Sequence, residues 1–211
     1  MIFGIGQFAL SLHITTVAVP VAMYFLILGL LNSRPHPQLL RGRRDFALLI
    51  VALCPLLLQP VIARAEGFWP VLAVIAAVGG VALLAPPKGS WVIYNILPRE
   101  AGDAVADALR QVGLPARREG GVFLLTDTDG SVRLSGFPLL RNVSVRAIGL
   151  APDVAGRFEA ALSRRLRTVT AETTAATMAL LLVATAMLVV PLALVAPRAG
   201  QIVRLLTGML Y

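Results

Sequence analysis

Four apolar runs dominate the chain, at about Phe8–Leu31, Phe46–Ala63, Gly67–Ala85 and Thr174–Ala196. The first contains no charge, and no Asp or Glu falls inside any of the four. A membrane-crossing helix needs about 20 mostly apolar residues, because the hydrocarbon layer is about 30 Å thick and a helix rises about 1.5 Å per residue. The pattern therefore predicts four transmembrane helices. An open strand in lipid would leave backbone groups unpaired, so each run is read as helical. The second and third runs are near minimal length, and only Arg64, Ala65 and Glu66 separate them. That predicts a tight helical hairpin, with Phe68 and Trp69 at the interface. The first thirty residues lack a basic start, and their apolar run is too long for a signal peptide, so the segment is expected to be retained.

Between the third and fourth runs the pattern changes. Trp91–Ile96 alternates and is rich in aromatic and β-branched residues, which predicts a strand. Pro98 opens a helix in which Ala101, Val105, Ala108, Leu109 and Val112 recur at helical spacing, and Gly113 ends it. Gly121–Thr126, Val132–Phe137 and Asn142–Ile148 read as three further strands, with a hairpin turn at Asp127-Thr128-Asp129-Gly130. Pro152 and Asp153 start a last helix with the stripe Val154, Phe158, Ala161, Leu162, Leu166 and Val169. No Gly or Pro lies between Arg157 and Met178, which predicts an unbroken helix into the fourth span.

The expected fold class is thus an α-helical polytopic membrane protein with four transmembrane helices. A small α+β domain of order β-α-β-β-β-α is inserted between helices 3 and 4. Residues 1–87 hold three spans (8–31, 46–63, 67–85), residues 88–172 the domain, and residues 173–211 the fourth span (174–196) with a short interfacial helix at the C-terminus.

Composition agrees with a membrane class. Hydrophobic residues make up 57% and charged residues 14%, against about 25% charged in a soluble globular chain. Mean hydropathy is +0.81. This excludes an ordinary cytosolic enzyme and a disordered chain. The single cysteine, Cys54, excludes a disulfide framework within one chain. The net charge is +8, and its distribution matters more than its size. The first loop carries Arg34, Arg41, Arg43 and Arg44, and segment 86–173 carries twelve basic residues. The hairpin and the tail carry only Arg64, Arg198 and Arg204. Lys and Arg near span ends mark the cytoplasmic side, so residues 88–172 are expected in the cytoplasm and both termini outside. The charge is read as this bias, with no nucleic-acid partner. Arg-rich, almost Lys-free usage suggests a GC-rich bacterium, and hence its inner membrane.

Candidate chemistry is sparse. His13 lies in the first span beside Ser11, Thr15 and Thr16, where an ionisable group is costly. It is the one cofactor-binding candidate, as a haem or quinone contact. The only other histidine, His36, sits between Pro35 and Pro37. No metal site and no cofactor are expected. Arg41, Arg43 and Arg44 are candidates for orientation and for lipid headgroups. Arg157, Arg164 and Arg167, away from the apolar stripe of the last helix, are candidates for partner docking. The expected function is a non-catalytic membrane subunit that scaffolds or regulates a larger complex, with lipids and other membrane subunits as partners. The alternatives are a haem- or quinone-linked anchor using His13, and a transporter or channel component.

Overall fold

The computed structural model describes residues 2–63, 69–126, 128–137, 141–171 and 174–196, together with 200 and 207. The long apolar helix α1 (Ile2–Asn32) contains Pro20. A four-residue strand β1 (Gln38–Arg41) leads directly into α2 (Gly42–Ala63), and α3 (Trp69–Leu84) follows. The chain continues with β2 (Ser90–Tyr94), α4 (Pro98–Val112), β3 (Ala116–Glu119), β4 (Val122–Leu125), β5 (Ser131–Phe137) and β6 (Asn142–Ile148). It closes with α5 (Pro152–Leu166), and the apolar α6 (Ala175–Val195) comes last.

The strands form one six-stranded antiparallel sheet in the order β1-β2-β6-β5-β4-β3. Side chains alternate across a strand, and β2 buries both sets. Trp91 and Ile93 face α4 and α5, in a core with Phe123, Val132, Val143, Val145, Leu109 and Phe158. The Trp91 and Phe158 rings meet edge-to-face at 5.6 Å. On the other side Val92 and Tyr94 pack against Leu28, with Tyr24, Phe25 and Leu31 of α1 and Leu180 of α6 around them. The sheet is therefore covered by α4 and α5 on one face, and at β2 by the apolar helices on the other.

Helix starts and stops follow local chemistry. Pro98 and Pro152 stand at the first turns of α4 and α5, where the missing N–H is harmless. Gly113 ends α4 in the left-handed conformation, φ 75°, and Leu114 N–H closes on the Leu109 carbonyl. Between α1 and α6 the approach is close. A Cβ on Gly29 would stand 2.5 Å from Leu181 Cδ2 and 2.8 Å from its Cγ, so a larger residue at that crossing requires the Leu181 side chain to move.

Several expectations are corrected here. Among the described residues, one helical stretch, Thr15–Asn32, is long and apolar enough to cross a membrane. The apolar stretches Val74–Leu84 and Thr177–Ala193 fall short. Helix α3 has 16 residues, about 24 Å at the helical rise, and α2 spends its first turn on Arg43, Arg44 and Asp45. The described chain is an α+β fold of six helices and a six-stranded antiparallel sheet, not a four-span bundle carrying an inserted domain.

The order β-α-β-β-β-α is also corrected. Strand β3 was not expected, and β1 comes from the connection between α1 and α2. Helix α5 does not run on into α6. It ends at Leu166, where Thr168 and Val169 N–H turn back to the carbonyls of Arg165 and Leu166. Thr168, Val169 and Thr170 are β-branched in succession, which disfavours helix. Helix α6 restarts with Thr174 as N-cap, its side chain accepting from Thr177 N–H. The Arg64–Glu66 hairpin, Asp127 of the expected turn and most of the 201–211 tail lie outside the described residues.

Candidate functional site

The most organised polar chemistry lies where α1 and α2 meet the sheet. Asn32, the last residue of α1, is 3% exposed, and Asn95, just after β2, is fully buried. Asn95 takes a left-handed backbone, φ 59°, which asparagine tolerates better than most residues. Its N–H donates to Asn32 Oδ1 at 2.9 Å, and its side-chain amide donates to the Arg34 carbonyl at 2.8 Å. Asn95 Oδ1 is buried with no partner among the described residues.

Beside this pair, Tyr94 donates its hydroxyl to Asp45 Oδ1 on the first turn of α2. Burial raises the Asp45 pKa above its ordinary value, and the bond from Tyr94 pulls the other way. The Tyr94 phenol is pushed far up, first by burial and then by its bond to Asp45. Two further bonds tie the loop after α1 to the segment after α5. His36 Nδ1 lies 3.0 Å from the Val169 carbonyl, and Ala171 N–H donates to the Pro35 carbonyl at 2.8 Å. These contacts, not a continuous helix, couple the helices to the domain. Chemically the junction is a fastener: the Asn95 N–H and side-chain amide, the Tyr94 hydroxyl and the Ala171 N–H each donate to an acceptor on another segment.

A second feature is a cavity of about 340 Å³ between the start of α2, the start of β2 and the first turns of α5. Arg41, Arg43 and Lys88 supply its cations, and Trp91, Pro87 and Gly156 part of its wall. Arg41 is bound to Glu159 at 2.9 Å, and that pairing raises the Arg41 pKa. Arg43 Nε reaches the Pro86 carbonyl at 3.4 Å. Gly42 packs closely here: a Cβ would stand 2.5 Å from Ser90 Oγ and would require that hydroxyl to turn away.

The remaining predicted residues are dispersed. His13 lies in the first half of α1, with its side chain outside the described residues. Arg44 is exposed beside the cavity without lining it. On α5, Arg157 is exposed 4.0 Å from Asp153, and Arg164 and Arg167 are exposed with no acidic partner among the described residues. The arginine that joins elements is Arg165, which holds Asp107 of α4 at 2.8 Å. Sequence reasoning missed Asn32, Tyr94, Lys88 and Asn95 as site residues. Asp45 was visible only as a carboxylate at a helix edge. Among the described residues, no group of three His, Cys, Asp or Glu side chains could hold a metal ion. No protein family, curated protein or solved structure matches the chain.

Proposed function

We propose that this chain is a non-catalytic docking protein of the bacterial inner membrane, whose apolar helices contact lipid and whose α+β domain engages a partner protein on the cytoplasmic side. The observation that supports the reading is the exposed apolar surface of the helices. On α3, Val71, Ile75, Val78, Leu83 and Leu84 are exposed, Leu83 by 89%. On α6, Met178, Leu182, Val183, Val189, Val190 and Leu192 are exposed, Leu182 by 72%. Monomeric soluble proteins rarely leave contiguous apolar patches beyond a few hundred Å² open to water. The 21 residues of α6 include no charge to form a polar rim, so lipid is the cover that fits. Among the described residues, Thr15–Asn32 of α1 is the stretch both long and apolar enough to cross the bilayer.

The cations around the cavity, Arg41, Arg43 and Lys88, with Arg44 nearby, sit where the helices end and the domain begins. That is the level of lipid phosphates and the side favoured for basic residues. Arg157, Arg164 and Arg167 on α5 are the docking candidates, suited to an acidic partner surface. Fractionation followed by copurification in mild detergent tests the reading. Retention of the full chain in carbonate-washed membranes, and a stable partner lost in the triple variant Arg157→Ser, Arg164→Ser, Arg167→Ser, is the expected result. A chain released by carbonate, or a monodisperse monomer with no partner, overturns it.

A further inference from the structure

The uncovered part of the sheet carries an unusual juxtaposition. Arg133 on β5 and Arg146 on β6 are directly opposite in register. Both are exposed, and among the described residues neither has an acidic partner. Like charges opposite one another across an antiparallel pair are destabilising. Nothing described in the fold offsets this pair.

The register also says which face the two arginines occupy. Ser90 pairs with Arg146, and Val92 and Tyr94 are two and four residues further along the same side of β2. Val92 and Tyr94 are the residues covered by α1 and α6, and Tyr94 binds the first turn of α2. The arginines therefore share the face from which α1 and α2 depart. Their neighbours on that face are Ser131, Ser135, Ser144, Val122, Leu124 and Ile148, with Leu124 42% and Ile148 38% exposed. Among the described residues of β3 to β6, the acidic side chain in register on this face is Glu119, which already holds Arg117 at 3.3 Å, and Asp45 of α2 is taken by Tyr94. A cationic face with hydroxyls and a few exposed apolar side chains matches the headgroup layer of an anionic bilayer.

We propose that the outer face of β6 and β5, centred on Arg133 and Arg146, is a binding site for the phosphates of anionic lipids. It rests on the reading that the helices contact lipid, since the bilayer holding α1 is what this face would then oppose. Lipid phosphate placed between the two guanidiniums removes their repulsion, and Arg donates to phosphate in paired bonds.

The test uses the full chain in nanodiscs of phosphatidylcholine alone and of an equal mixture of phosphatidylcholine and phosphatidylglycerol, read by melting temperature. The native chain melts higher in the mixture. In Arg133→Glu the new acid lies opposite Arg146, so melting rises in phosphatidylcholine alone and the gain from phosphatidylglycerol is lost. Arg133→Ser with Arg146→Ser also loses the gain. If the native chain shows no lipid-dependent shift, or if both variants keep it, the proposal falls. If inorganic pyrophosphate in phosphatidylcholine discs gives the same gain, the site takes a soluble anion and the lipid assignment is wrong. Failure of the chain to enter phosphatidylcholine discs at all would instead remove the reading that the helices contact lipid.

Discussion

The backbone N–H of Asn95 donates to the side-chain oxygen of Asn32 across 2.9 Å, joining the end of α1 to the end of β2. Both residues are buried. Asn32→Ala leaves that N–H without an acceptor inside the protein. A buried unpaired donor costs about 1–3 kcal/mol. Denaturant unfolding of the full chain in detergent is expected to show a loss of that size. A change within error would mean that water reaches the junction.

Asp45 makes the junction sensitive to pH. Its pKa in the fold is raised above the ordinary 3.8, so the folded state holds the proton more tightly than the unfolded chain. The sign follows from linkage. Stability is highest below pH 3.8 as far as this group is concerned, and declines as pH rises from there through the folded value. Asp45→Asn keeps an acceptor for the Tyr94 hydroxyl and removes the titration. It is expected to raise stability at neutral pH and to flatten the slope in the acid range. Tyr94→Phe removes the bond that favours the charged carboxylate and steepens the slope. Melting temperature against pH for the three chains decides it.

Gly29 sets the crossing of α1 and α6. Gly29→Val would push into Leu181, and overpacking of this kind costs about 1–3 kcal/mol. Leu181→Ala in the same chain frees the space. The double variant is expected to be more stable than the sum of the two single losses predicts, because the two sites share one contact. Strict additivity would show that the helices shift apart without strain.

Within the domain, packing outweighs the surface ion pairs. Phe158 is fully buried against Trp91, and Phe158→Ala is expected to cost about 3–5 kcal/mol. The Arg165–Asp107 pair joins α5 to α4 but is partly exposed, at 39% and 26%. Arg165→Met is expected to cost about 1 kcal/mol or less. Arg41→Met, which breaks the more exposed bond to Glu159, is expected to cost still less. Chemical denaturation of the three variants gives the ranking.

The periodic elements were legible in the sequence because one face of each is buried. The stripe through Ala101, Val105, Ala108 and Leu109 gave α4, and alternation gave β5 and β6, observed at Ser131–Phe137 and Asn142–Ile148. Strand β3 was invisible because Ala116-Arg117-Arg118-Glu119 is an edge with three exposed charged residues, where burial writes no pattern. Strand β1 is four residues long, too short for alternation to register. Run length in apolar residues proved a poor guide to spans, because it does not record where a helix starts, stops or packs. The junction could not be read at all. Asn32 and Asn95 are 63 residues apart, and Asp45 and Tyr94 are 49 apart, so only the folded pairing of β1 with β2 and α1 with the sheet brings them together.

That four-residue strand has a practical bearing on how the head can be handled. Gln38–Arg41 is the edge strand beside β2, and it pairs with Trp91–Tyr94. A fragment cut at residue 88 would lack it, along with the cover that Tyr24, Phe25, Leu28 and Leu31 of α1 lay over Val92 and Tyr94. The trimmed piece would display a naked, greasy ribbon, the kind of template on which neighbouring chains stack. Anyone wishing to isolate the head must graft residues 38–41 back on and make Val92 and Tyr94 polar, or expect precipitate.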